Sequence, residues 1–317
     1  MPTRAVLTEQ PEVRVSAQMA TLDTTCDAPA ERGRLLAPAA ALLTVTLWAS
    51  AFVGIRSAGH HLSPGALALG RLLVGSVALG ALVLVRREPL PARRDLGRIA
   101  VCGVLWFALY SVVLNAAEKR VDAGTAAMLV NVGPILIALL AGLLLREGFP
   151  RGLFVGCAVA FSGAVVIGAA TAEHGLVPSR GAVLCLVAAL AYAGGVIAQK
   201  PVLARVSPLQ VTWLACTAGA IACLPFAGSL WSDASAAPAS ALGWVVYLGI
   251  VPTAIGFIAW GYALSRTTAG RMGSTTYLVT PIAILLGWLL LGETPPGLAL
   301  AGGALCLAGV AITRRGS

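Results

Sequence analysis

Charge is what this 317-residue chain lacks most. Only 11% of its residues are Asp, Glu, Lys or Arg, against about a quarter in an ordinary soluble domain. With 58% hydrophobic residues and a mean hydropathy of +0.88, a water-soluble globule is excluded. The apolar runs are unbroken rather than alternating, which also excludes a lipid-embedded β-barrel. Histidine is scarce: His60, His61 and His174 all fall in connections and have no metal-ligand spacing. The seven cysteines follow no spacing either. Cys26 precedes the first apolar run, and the other six lie inside runs as small packing residues. Neither a GxxxxGK[ST] loop nor an HExxH helix occurs, so an ATP-driven pump and a zinc hydrolase have no support. No metal and no cofactor is expected.

What the chain has instead is ten apolar runs, at about 35–55, 65–85, 99–117, 124–145, 152–170, 181–199, 209–229, 242–264, 272–291 and 297–313. Each is near the ~20 residues a helix needs to cross ~30 Å of hydrocarbon. Residues 1–34 are polar, carry Pro11 and Pro29, and lack an apolar core. They are expected to form a disordered cytoplasmic tail, not a signal peptide.

A net charge of +9 would suggest nucleic acid in a soluble protein. Here its distribution favours the bilayer as partner. With connections numbered alternately, one side collects seventeen Lys and Arg, the other only Arg56, Lys119, Arg120 and Arg180, and Arg71 stays inside a span. By the positive-inside rule both termini are cytoplasmic, which requires an even number of spans.

The phrase LLLREGFP at 143–150 returns as LLLGETPP at 289–296, a shift of 146. The same shift superposes Gly103 on Gly249, Gly124 on Gly270, Glu147 on Glu293, Pro150 on Pro296, Gly156 on Gly302 and Gly163 on Gly309. Upstream the shift is 144, pairing Arg56 with Lys200 and Ser63-Pro64 with Ser207-Pro208. The predicted domains are therefore a five-helix repeat over 35–170 and another over 181–313. Five crossings is an odd number, so the second repeat enters the membrane upside down. Inverted repeats place a binding site near the midplane where they meet. The predicted fold is an all-α polytopic membrane protein, ten transmembrane helices in two inverted five-helix repeats.

Several stretches, LWASAFVGIR (47–56), SPGALALGRLL (63–73), PILIALLAGLLLRE (134–147), GIVPTAIGFIAWGYAL (249–264) and PIAILLGWLLLGE (281–293), resemble the ten-span EamA type of the drug/metabolite transporter superfamily. The resemblance covers about 35–313. It implies a bacterial inner-membrane secondary transporter, not an enzyme, that exports amino-acid-like metabolites or drugs by alternating access. Twenty arginines beside only two lysines, Lys119 and Lys200, fit a GC-rich bacterial genome. A homodimer is left open. The competing classes are a non-transporting scaffold or receptor and a lipid-modifying membrane enzyme.

Polar residues within the spans are few and point to a solute site, because a buried polar group in lipid needs a partner or water. The candidates are Trp48, Arg71, Tyr110, Asn115, Asn131, Tyr192, Trp260, Tyr262, Thr276, Tyr277 and Thr280. Pro134, Pro252 and Pro281 each remove a backbone donor and expose a carbonyl one turn earlier. Arg71 lies roughly 10 Å below Pro64 at 1.5 Å per residue, with anion binding and helix locking both open. No carboxylate lies deep in a span. Proton coupling would therefore fall to Glu147 or Glu293 at span ends, whose other expected role is to cap the helix starts beside Pro150 and Pro296.

Overall fold

The computed structural model describes residues 28–120, 129–171, 180–291 and 297–315. Those residues fall into ten helical rods in chain order. The rods are α1 (Ala28–Gly59), α2 (Pro64–Arg86), α3 (Arg93–Cys102 continuing to Glu118), α4 (Gly133–Leu144), α5 (Arg151–Thr171) and α6 (Arg180–Val202). They continue with α7 (Pro208–Ala222, then Ala227–Ala236), α8 (Ala239–Ser265), α9 (Ala269–Thr275 continuing to Leu291) and α10 (Gly297–Arg315). Five are long and apolar enough alone to cross a membrane, and a bent sixth is α7. Shorter apolar helices make up α4 and parts of α5 and α10.

Three local features depart from the expected straight spans. Helix α1 begins at Ala28, seven residues inside the stretch expected to be tail; residues 1–27 lie outside the described part. Helix α7 bends by 53° where Pro225 interrupts it with a short 3-10 turn, Leu224–Phe226, because proline supplies no amide to the ladder. The third departure is a pair. Residues Gly103–Leu109 of α3 and Gly249–Ile255 of α8 are both π-helical, and their limits differ by the 146-residue repeat shift. One extra residue per turn is costly and tends to mark functional positions; here it recurs in both copies.

Packing is reciprocal across the repeats: α1 on α8 and α6 on α3, α1 on α9 and α6 on α4, α2 on α7, α4 on α9, and α5 on α10. Small residues drive the closest of these contacts, as expected for helices in lipid. A Cβ on Gly163 would sit 2.5 Å from the Gly302 carbonyl oxygen, and one on Gly302 would sit 2.7 Å from that of Gly163. The Gly156–Gly309 pair is equally tight in both directions, at 2.6 Å. At the π-helices, a Cβ on Gly103 would come within 2.4 Å of the Ala215 oxygen and one on Gly249 within 2.8 Å of the Arg71 oxygen.

Helices α2 and α7 are also tied at both ends. Ser63 and Ser207 precede Pro64 and Pro208 at the two helix starts, the proline already holding a helical φ. Glu88 accepts from the Ser207 hydroxyl. At the other end Asp233 accepts from the Ser63 amide at 2.8 Å. Beside Glu88, Arg205 pairs with Asp95.

Candidate functional site

A cavity of about 120 Å³ lies between the repeats, walled by α1, α2, α3 and α4 of the first and α6, α8 and α9 of the second. Its base is aromatic. Trp106 packs on Phe257 at 4.8 Å and on Tyr192 at 5.1 Å, and Trp48 on Phe257 at 5.1 Å. Trp260 stacks beneath Trp48 at 5.1 Å and donates its indole N–H to Gln199. From this base the wall climbs through Ile55, Arg71, Leu114, Val130 and Thr280, residues nearer the Gly59–Pro64 end of the bundle.

The helix irregularities position the polar groups. Helix α4 begins only at Gly133, after a turn at Asn131–Val132, so Pro134 starts a helix rather than kinking one. Helix α9 tightens into a 3-10 turn at Thr276–Leu278. These breaks lie at corresponding places in the two repeats and face each other. Asn131 Nδ2 donates to Thr280 Oγ1 at 3.1 Å, and the Tyr192 hydroxyl reaches Thr276 Oγ1 at 3.5 Å. In α8 the π-helix accommodates Pro252. Thr253 donates its hydroxyl to the Leu248 carbonyl at 2.7 Å, and Trp48 donates its indole N–H to that of Pro252 at 3.2 Å.

Of the residues singled out from sequence, Trp48, Arg71, Tyr110, Asn131, Tyr192, Thr276 and Thr280 line this cavity, as do Pro134 and Pro252. The others lie elsewhere. Asn115 donates to the Pro64 carbonyl at 3.1 Å and ties α3 to α2. Trp260 lies behind the base. Tyr262 lies under the Arg266 guanidinium, 3.6 Å from its carbon. Tyr277 is buried against Cys157 and Cys306, a third of a turn away from the cavity wall. Pro281 faces Gly303 of α10. Arg71 donates from Nη2 to Ser111 Oγ at 2.9 Å, so its helix-locking contact exists and it reaches the cavity as well. Trp106, Thr253 and Phe257 also line the cavity; Thr253 and Phe257 are not among the residues the sequence points to. Trp106 shares a face with Tyr110 at i, i+4, a usable signal. Nothing distinguishes Phe257 from a packed core aromatic.

Glu147 has a different partner from the one expected. Arg146 adopts a left-handed backbone (φ 58), and the Glu147 amide folds back to the Ala141 carbonyl at 3.2 Å, so α4 ends in a left-handed turn of the kind common at helix C-termini. This aims the carboxylate out of its own repeat. It accepts from the backbone amides of Ala269 at 2.9 Å and Gly270 at 3.4 Å, so it caps the start of α9 and not the helix beside Pro150. Lys200 Nζ donates to the carbonyls of Leu264, at 2.7 Å, and Thr267. Together the two side chains grip both sides of the α8–α9 turn, at the end of the bundle away from Gly59–Pro64. Glu293 lies outside the described residues.

The sequence pattern of the EamA-like transporter family matches residues 35–169 and again 179–315. This chain belongs to the EamA-like transporter family. Membership makes it a membrane transporter rather than an enzyme, and an all-α polytopic one. Among its relatives, a probable terminal-alkyne amino-acid exporter of Streptantibioticus cattleyicolor is 41% identical over 278 residues, covering 87% of this chain and 92% of the relative. A probable amino-acid metabolite efflux pump of Salmonella typhimurium is 28% identical, with 86% and 92% covered. A solved structure, described only as the crystal structure of a protein, matches with a TM-score of 0.70 at 21% identity, over 87% of this chain and 95% of that one; it shows a shared fold alone.

Proposed function

We propose that this transporter carries small amino-acid-like metabolites out of a bacterial cell across the inner membrane, with both termini in the cytoplasm. The two repeats rock around the cavity so that it opens to one side at a time. The observation that carries this reading is the cavity itself: both repeats wall it, and their helix breaks meet across it in the Asn131–Thr280 hydrogen bond. The Glu147 and Lys200 contacts hold the α8–α9 turn at the opposite end, the end the charge bias assigns to the cytoplasm. The names of the amino-acid exporters among its relatives favour amino-acid-like cargo over drugs.

Reconstitution into vesicles tests it. A panel of labelled amino acids and cationic dyes should include at least one solute that moves with saturable flux, and Asn131→Ala should shift its apparent affinity. Well-folded protein that moves none of the panel would leave a scaffold or receptor as the better account.

A further inference from the structure

Arg71 is the one charged residue among the described residues of the cavity wall; the remainder are apolar, aromatic, hydroxyl, proline or amide groups. It projects from α2, one to two turns below Pro64, and its side chain is partly exposed to the cavity. Two contacts from one face of α3 tie α2 in place, one of them through Arg71 itself. Ser111 accepts from the Arg71 guanidinium at 2.9 Å, and Asn115, one turn further along, donates to the Pro64 carbonyl at 3.1 Å. The bond to Ser111 thus holds the guanidinium against α3 before any solute arrives. Such preorganisation lowers the entropic cost of binding. A guanidinium has five N–H donors in a planar fork, so it can keep Ser111 and still meet a carboxylate through a second edge.

The wall beyond it is of a different kind. Trp48, Trp106 and Phe257 offer apolar faces. The amide of Asn131 and the hydroxyl of Thr276 offer neutral oxygen acceptors. A fixed cation at one place, neutral acceptors at another and an aromatic base match a solute with a carboxylate, an ammonium and an apolar side chain. They disfavour a solute whose only charge is positive.

We propose that Arg71 is the specificity-determining residue of this cavity and selects solutes carrying a free carboxylate, zwitterionic α-amino acids with apolar side chains above all. The proposal rests on the transporter reading above and narrows it: amino acids are taken, and their amides and cationic dyes are refused.

The test uses purified full-length protein in nanodiscs, with binding read from the fluorescence of the tryptophans that border the cavity. The probes are norleucine, norleucinamide, phenylalanine and phenylalaninamide. Wild type should bind each acid about ten-fold or more tightly than its amide, the scale of a single charge-assisted contact. Arg71→Gln should level the two, and Arg71→Lys, which keeps the charge but loses the planar fork, should retain part of the preference. Ser111→Ala, which leaves the charge in place, should weaken the acids less than Arg71→Gln does and guards against misfolding of the arginine variants. Equal binding of acid and amide by wild type, an acid preference that survives in Arg71→Gln, or no binding of either acid would each overturn the proposal. Saturable flux of a cationic dye in vesicles would overturn it while leaving the exporter reading intact. A lack of flux for every solute would sink the exporter reading, and the binding series would still decide the role of Arg71.

Discussion

Glu147, the last residue of the turn that ends α4, holds the backbone amide of Ala269 at the start of α9, 2.9 Å away and 122 residues later in the chain. The contact joins the two repeats at the end of the bundle away from the cavity. It combines two favourable effects, a carboxylate at a helix N-terminus and acceptors for amides that have no partner within their helix.

Removing that cap should cost stability. Glu147→Ala is expected to lose about 1 kcal/mol, the usual worth of an N-terminal cap, and Glu147→Gln should lose less because one amide oxygen can still accept. Thermal unfolding in lipid nanodiscs measures the order. If both variants unfold at the wild-type temperature, the cap does not stabilise the bundle.

The glycine seam between α5 and α10 leaves no room for a side chain. Gly163→Val and Gly302→Val each place a branched side chain where a single Cβ already comes within 2.7 Å of a carbonyl oxygen. Overpacking of this kind costs roughly 1–3 kcal/mol or more. Both variants should run as aggregated or heat-labile protein in size-exclusion chromatography. Gly97, with nothing within 4 Å of a built Cβ, should accept alanine without change.

Asn131 and Tyr277 occupy matching positions in the two repeats and should behave differently. Asn131→Ala removes a polar group from the cavity wall and its bond to Thr280, so it should weaken apparent solute affinity several-fold in a protein of normal stability. Tyr277→Phe should leave affinity unchanged. Its hydroxyl has no hydrogen-bond partner among the described residues, and its ring packs away from the cavity. Vesicle uptake curves for the two variants give the comparison, and a large shift for Tyr277→Phe would mean that the cavity wall is misassigned.

Topology is checked by labelling single cysteines in a Cys26→Ser background, the remaining six cysteines being buried. Ser317→Cys should react with a membrane-impermeant maleimide only after the cytoplasmic face is exposed. His61→Cys, in the exposed α1–α2 connection, should react from outside. The reverse pattern would turn the carrier over and make the Glu147 end the outer one.

Much of the fold could be read without coordinates because lipid is a severe solvent. It forces each run to satisfy its own backbone, so run length alone counts helices. An odd number of crossings per repeat inverts the second copy, and the spacing of Glu147 and Glu293, or of Gly163 and Gly309, reveals the copy. Arg71, Asn131 and Thr280 stood out because polar atoms in such runs are rare.

Tertiary structure alone decided where those atoms point. Tyr277 and Thr276 are adjacent in sequence, yet a 3-10 turn sends one into packing against α5 and α10 and the other to the cavity. The paired π-helices at 103–109 and 249–255 share only Gly103 with Gly249 and Ala108 with Ala254, too little in common for the sequence to announce them. Glu147 illustrates the same division. Its repetition was written in the chain, but its partner, the first turn of α9, came from the way one repeat rests against the other.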